Sequence, residues 1–243
     1  MTVTPPGSRP GRFHTTRWSL VMAAGAGTDE HARSALEQLA HSYWYPLYSY
    51  LRRRGCDREE AHDVTQGFFA HLLERDAFRH IGPDGGRFRS YLLTGVKNYL
   101  LNERARASAE KRGGGRPVIS MDARQADRSY LAEPSHQATP EAAFERSWAR
   151  SVLERALDRL ETTFDDAGKA ERYEALKEYF LGSAADFPTL AQQLGISEGA
   201  VRVALHRLRQ QFATCLRQEV QETVADPSEV EDELRHLLDA LAH

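Results

Sequence analysis

The sequence predicts an all-α protein: two helical domains joined by a flexible linker, followed by an acidic C-terminal helix. Three observations carry that prediction. Apolar residues recur at steps of three and four along most of the 243 residues, and no run alternates as a strand would. The Gly-rich stretch Arg112–Gly113–Gly114–Gly115–Arg116–Pro117 breaks the periodicity, and residues up to about Pro140 show none. Charge is segregated: residues 87–116 hold eight Lys/Arg against two Glu, and residues 218–243 hold eight Asp/Glu against one Arg. The net charge of −3 conceals a basic surface suited to nucleic acid and an acidic tail. The divisions are an N-terminal arm (1–13), a first domain (14–112), the linker (113–140), a second domain (141–220) and the acidic extension (221–243).

The Pro/Gly/Arg-rich arm lacks the apolar core of a signal peptide and reads as disordered. A short helix is expected over Thr16 to Ala24, with Trp18, Leu20 and Val21 inward. A second runs from about Glu30 to Arg53 on Leu36, Leu39, Tyr43, Leu47 and Tyr50 or Leu51, with Pro46 expected to kink it or shift its register. Asp57 and Glu60 resemble a capping box that opens a third helix, running to about Glu74. Its stripe is Ala61, Val64, Phe68 and Leu72, with Phe69 and Leu73 to one side and Asp63 and Gln66 beside them. So wide an apolar surface fits either contact with a macromolecule or burial on two sides within one domain.

Gly82–Pro83 and Asp84–Gly85–Gly86 mark a loop, after which a fourth helix runs from about Arg87 to Ala109. Phe88, Leu92, Val96 and Tyr99 can face its core, while Lys97 and Arg104 stack on the outside. Basic residues interleaved with Tyr91 and Tyr99 fit a single-stranded nucleic-acid platform, or a solvated basic helix with core aromatics. The second domain starts near Glu141 and uses Phe144, Trp148, Val152, Leu153, Leu157 and Leu160, followed by a helix over Tyr173 to Leu181.

Residues 187–216, FPTLAQQLGISEGAVRVALHRLRQQFATCL, are the most informative stretch. Pro188 suits a first helical turn, Gly195 a left-handed helix end, and Ser197 the cap of the next helix with Glu198 at its start. Val201, Leu205, Leu208 and Phe212 share one face; Arg202, His206 and Arg209 lie on one flank and Arg207 on the other. This is a helix-turn-helix pattern whose second helix could enter a major groove. The plain alternative is a helical hairpin with a solvated basic face. Beyond it, Asp226 and Pro227 can start a last helix on which Val230, Leu234, Leu237 or Leu238, and Leu241 share a face. That helix could dock on the chain's own DNA-binding surface or on a partner, or simply complete the second domain.

Other function classes find little support. No apolar run approaches a membrane span. Cys56 and Cys215 are far apart with no CxxC, which is the usage of a reducing compartment, so a cytoplasmic location is expected. No two of the ten histidines lie three or four residues apart, and neither a phosphate-binding P-loop nor a nucleophile elbow occurs. The chain is read as a non-enzyme, with no catalytic residue, metal or cofactor.

EEAHDVTQGFFAHLL, GRFRSYLLTGVKNYLLNERAR and LAQQLGISEGAVRVALHRLRQQF, in this order and spacing, resemble successive regions of an RNA polymerase sigma factor of the extracytoplasmic-function group. The similarity covers roughly Thr16 to Arg112 and Glu141 to Arg217, and the TQGFF variant is similar to one subgroup of that family. The resemblance implies a factor that directs core RNA polymerase to promoters for transcription initiation. Its first domain would bind the polymerase clamp helices and open the −10 element; its second would bind the flap and read the −35 element. By position, Asp63, Gln66, Phe69 and Leu73 would face the clamp, and the loop Arg75 to Gly86 would approach a flipped −10 base. Lys97, Asn98, Asn102, Arg104 and Arg106 would contact DNA around that base. Ser197, Glu198, Arg202, His206 and Arg207 would meet the −35 groove and its phosphates.

Two positions depart from the family pattern. His62 stands within an acidic cluster, where a carboxylate would favour a basic clamp surface. Ala204 stands where many members carry Arg. The subgroup likeness implies a Ser/Thr kinase as regulatory partner in place of an anti-sigma factor, with Thr65 as the phosphate acceptor. Helical geometry sets Thr65 near the apolar stripe, so a hydroxyl bonded back along its own helix is the alternative. At the level of the whole protein two alternatives stand: a stand-alone helix-turn-helix regulator, and a sigma-like adaptor that binds polymerase without initiating.

Overall fold

A computed structural model describes residues 30–73, 87–109, 126, 129–130, 139–180, 182, 186–224 and 226–242. Among them are eight α-helices: α1 (Glu30–Arg53), α2 (Arg58–Leu73), α3 (Phe88–Ala109), α4 (Pro140–Asp166), α5 (Ala170–Phe180), α6 (Phe187–Leu194), α7 (Glu198–Gln221) and α8 (Val230–Ala242). A 3₁₀ turn, Pro227–Glu229, leads into α8. Among the described residues the only β-type pairing is a single antiparallel bridge between Arg87 and Val224. The all-α prediction therefore holds. The predicted Thr16–Ala24 helix, the loop Arg75–Gly86, the Gly113–Gly115 break and the Leu73 side chain lie outside the described residues.

Two hydrophobic clusters organise the helices. The first gathers Tyr43, Trp44, Leu47 and Leu51 of α1, the α2 stripe, and Phe88, Leu92 and Val96 of α3. It also takes Phe144, Trp148 and Val152 from the first half of α4, together with Val220, Val224, Val230 and Leu237. The second gathers Ala156, Leu160 and Phe164 of α4 with Tyr173 and Leu176, Leu190, and Val201, Leu205 and Leu208. Two helices thus run through both: α4, and α7, whose Val220 near its end joins the first cluster. Within the stretch predicted as linker, Ala126 is buried and Tyr130 lies beneath the Arg52 guanidinium, 4.8 Å from its ring centre.

Helix α1 is buried on two sides: Tyr43, Trp44, Leu47, Tyr48, Tyr50 and Leu51 are all fully covered. It continues through Pro46 to Arg53. Tyr43 accepts a hydrogen bond from Trp148 Nε1 at 2.9 Å, and burial pushes its phenol well above the usual range. Helices α2 and α3 approach closely at two glycines. A Cβ on Gly95 would lie 2.9 Å from Phe68 Cζ, and one on Gly67 would lie 2.5 Å from Tyr99 Oη. Any larger residue would require the Phe68 or Tyr99 ring to shift.

Of the places the sequence offered the acidic C-terminal helix, packing within the chain is the one seen: it lies against α4 and α7, both helices of the predicted second domain. It completes the first cluster, where Val230 and Leu237 are buried while Leu238 is 60% exposed. Leu241, placed inward by periodicity, is also exposed. The reason is Glu233, which is fully buried and turns the helix toward the start of α3. Its carboxylate accepts from Arg89 Nε at 2.6 Å and Nη2 at 3.2 Å, and pairs with Arg87 Nε at 3.0 Å. Arg89 also donates to Glu145 at 2.7 Å, and Glu145 meets His236 Nε2 at 2.9 Å. Burial drives the Arg89 guanidinium toward deprotonation, but the Glu233 hydrogen bonds and the Glu145 charge outweigh it and raise its pKa. The Phe88 N–H donates to Thr223 O at 3.2 Å, so the segment after α7 is tied to the start of α3 by backbone as well as charge.

Candidate nucleic-acid interface

The unit α6–turn–α7 is built as its sequence predicts. Asp186 caps α6, accepting from Thr189 N–H at 3.3 Å and from Thr189 Oγ1 at 2.6 Å. Those bonds, the side-chain one foremost, hold its carboxyl below the ordinary range. Gly195 ends the helix in the left-handed region at φ 64° and ψ 32°. Ser197 caps α7 by accepting from Ala200 N–H at 3.3 Å. Val201, Leu205 and Leu208 are buried and Phe212 half-buried, its ring edge-on to Phe180 at 5.1 Å.

The remaining faces of α7 are solvent-facing. Ser197, Glu198, Arg202, His206 and Arg207 are all exposed, as is Arg209. Arg202 is steadied by the Phe187 ring, 4.9 Å away, and by Glu198 at 4.0 Å. Arg207 lies on the opposite flank from Arg202 and His206. It borders a cavity of about 230 Å³ between α4, α5 and α7, together with Lys169 and Arg172. These two cations carry no sequence motif of their own; only the fold brings them beside Arg207. Ala204 is buried and lines the same cavity, so it is a packing position and not part of the exposed face.

On α3, Asn98, Asn102, Arg104 and Arg106 are exposed and Lys97 is half-exposed. Each of the three cations has a partner within the chain. Lys97 pairs with Glu141 at 3.0 Å, Arg104 with Glu60 at 3.0 Å and Arg106 with Glu103 at 3.1 Å. Arg104 also donates to Cys56 Sγ at 3.4 Å; burial above all pushes that thiol up to about 11. Tyr99 packs on Phe68 and His71, and Tyr91 on Phe88. The aromatic rings that a single-stranded platform would use are therefore engaged inside the fold.

Helix α2 divides its predicted contact residues. Asp63 is exposed and Gln66 half-buried. Phe69 is fully buried in the first cluster, which corrects the expectation that its ring faces a partner. The helix is covered on two sides, by α1 and α3, so its wide apolar surface is spent on its own core. His62 explains part of the local chemistry: Gln66 Nε2 lies 3.0 Å from its Nε2, and Asp63 lies 3.7 Å from its Nδ1. With the proton on Nδ1, the imidazole accepts from Gln66 through Nε2 and leaves its N–H on the side of Asp63. Thr65 is fully buried and its hydroxyl donates to Ala61 O at 2.7 Å. In this fold a kinase cannot reach it, and the back-bonded hydroxyl is the reading the geometry favours.

No group of His, Cys, Asp and Glu among the described residues could hold a metal ion, and none of the described helices is long and apolar enough to cross a membrane. Comparison of the chain with protein-family models, with curated proteins and with solved structures finds no match in any of the three.

Proposed function

We propose that the chain is a sigma-type initiation factor that binds promoter DNA and recruits core RNA polymerase. The observation that carries this reading is the α6–turn–α7 unit. A left-handed Gly195, a capped α7, a buried Val201–Leu205–Leu208 stripe and an exposed basic face coincide as a groove-reading helix requires. In this reading the two hydrophobic clusters mark two helical bodies joined through residues 113–140 and meeting along α4 and the end of α7. The second body reads the −35 duplex with Ser197, Glu198, Arg202, His206 and Arg207. The first presents Asp63 and Gln66 to the polymerase clamp and Asn98 and Asn102 to the −10 strand. Opening there exchanges base stacking for a protein pocket, at a cost of a few kcal/mol.

One observation favours a second reading, a stand-alone helix-turn-helix regulator. Lys97, Arg104 and Arg106 are all neutralised by carboxylates of the same chain, as a body that never touches −10 DNA would allow. Run-off transcription with purified core polymerase separates the readings. Promoter-dependent transcripts are expected from the sigma-type factor. Tight duplex binding with no polymerase association would favour the regulator, and polymerase binding without transcripts would favour an adaptor.

A further inference from the structure

One large apolar side chain stands on the outer surface of α7. Val203 is 50% exposed, while Val201, Ala204, Leu205 and Leu208 around it are buried. At 3.6 residues per turn it lies about 160° round the helix from Val201, so core packing does not account for it. Helix stability does not account for it either, because valine is a poorer helix former than alanine or the long straight side chains. Single exposed aliphatics are common on protein surfaces. Val203 differs in its setting. It sits in the second turn after the Ser197 cap, the part of such a helix that faces base edges. Exposed Arg202 and Arg207 flank it with positive charge that complements a polyanionic duplex, and the exposed His206 stands beside them.

We infer that Val203 reads a thymine in the major groove through its C5-methyl group. This rests on the reading of α7 as a duplex-binding helix. Thymine is the one base that presents a methyl group in the major groove; cytosine, adenine and guanine offer only polar edges there. Packing the two valine methyls against it removes apolar surface of both partners from water. An unmethylated pyrimidine leaves that surface uncovered. The flanking cations fix the register on phosphates and polar edges, and Arg202 is held for that task by Phe187 and Glu198.

The test starts from duplexes enriched out of a random library by the full chain, alone or with core polymerase. In the best duplex each thymine is replaced in turn by uracil, which differs only in lacking the methyl group. Binding is measured by fluorescence anisotropy at one fixed salt concentration. One position is expected to lose about fourfold in affinity, the worth of one methyl-sized group removed from water. Val203→Ala should bind the thymine duplex correspondingly less well and lose most of the response to uracil there, with its helix content by circular dichroism unchanged. Placing 5-methylcytosine at that position should recover part of the affinity that cytosine loses. Equal uracil sensitivity in wild type and Val203→Ala, or none at any position, overturns the thymine contact while leaving duplex binding standing. Failure to enrich any duplex overturns the DNA-reading role of α7, and this inference with it.

Discussion

Neutralising Glu233 should destabilise the first cluster by about 3 kcal/mol. Breaking a buried ion pair from one side costs about 3–5 kcal/mol, because the surviving charge is left in a poor environment. Glu233→Gln keeps the volume but removes the charge that meets Arg89 at 2.6 Å and Arg87 at 3.0 Å. Arg89 retains Glu145 at 2.7 Å, and Arg87 is partly exposed, so the lower end of the range applies. Trp44 and Trp148 both lie in this cluster, so urea unfolding followed by tryptophan fluorescence reports it directly. With a slope of about 3 kcal/mol per molar, the midpoint should fall by about 1 M at unchanged slope. Replacing Arg89 and Glu233 together by methionine should recover most of the loss, since an apolar pair of similar volume is often neutral or better. A midpoint for Glu233→Gln within about 0.2 M of wild type would refute the buried-charge account.

Three further outcomes are expected. Phe69→Ala should cost about 3–5 kcal/mol in the same unfolding assay, the range for a truncated core aromatic; an unaffected midpoint would return Phe69 to the surface. Gly95→Ala gains about 1 kcal/mol of helix propensity but drives a methyl into Phe68, which typically costs about 1–3 kcal/mol. Thermal melting should therefore show a net loss, and a raised melting temperature would mean that Phe68 yields freely. Asp186, Asp226 and Glu141 have carboxyls held below their usual values, by the Thr189 side chain, by Ser228 N–H and by Lys97 respectively. Lowered folded values mean that the stability they supply is in place above the ordinary carboxylate range, about pH 4, and is lost as pH falls through those lowered values. Melting temperature measured down an acid series should drop there, less steeply for Asp186→Asn, and a flat profile would count against the caps.

Periodicity made the helices legible because each buries a stripe that a 3.6-residue repeat can display. The α1 and α3 boundaries lie within a residue of expectation, and the Gly195–Ser197 turn was readable because left-handed backbone and N-caps select few residue types. What periodicity cannot display is the identity of the neighbour. Phe69 looked like a contact residue because nothing in α2 alone says that α1 and α3 cover it from two sides. Gly67 and Gly95 carried no signal, since their meaning is a close approach between helices that only the packed pair reveals. Glu233 carried no signal either, because an acid in an acidic tail is ordinarily solvated and nothing in the last helix alone says that this one is buried. Its partners, Arg87 and Arg89, lie in a segment that composition marked as a surface for nucleic acid. Ala204 is similar: the family pattern it departs from concerns an arginine on the recognition helix, yet its place here is a covered wall of a cavity.

The tie between Arg87 and Val224 bears on how the chain is made. Val220, Val224, Val230 and Leu237 close a cluster whose other members include Leu92, Val96 and Leu100, all synthesised more than a hundred residues earlier. At about 5–20 residues per second, the leading helices wait roughly ten seconds on the ribosome with apolar faces uncovered. A nascent chain stalled before residue 220 should therefore be sensitive to protease and bound by chaperones, and release of the following segment should end both together.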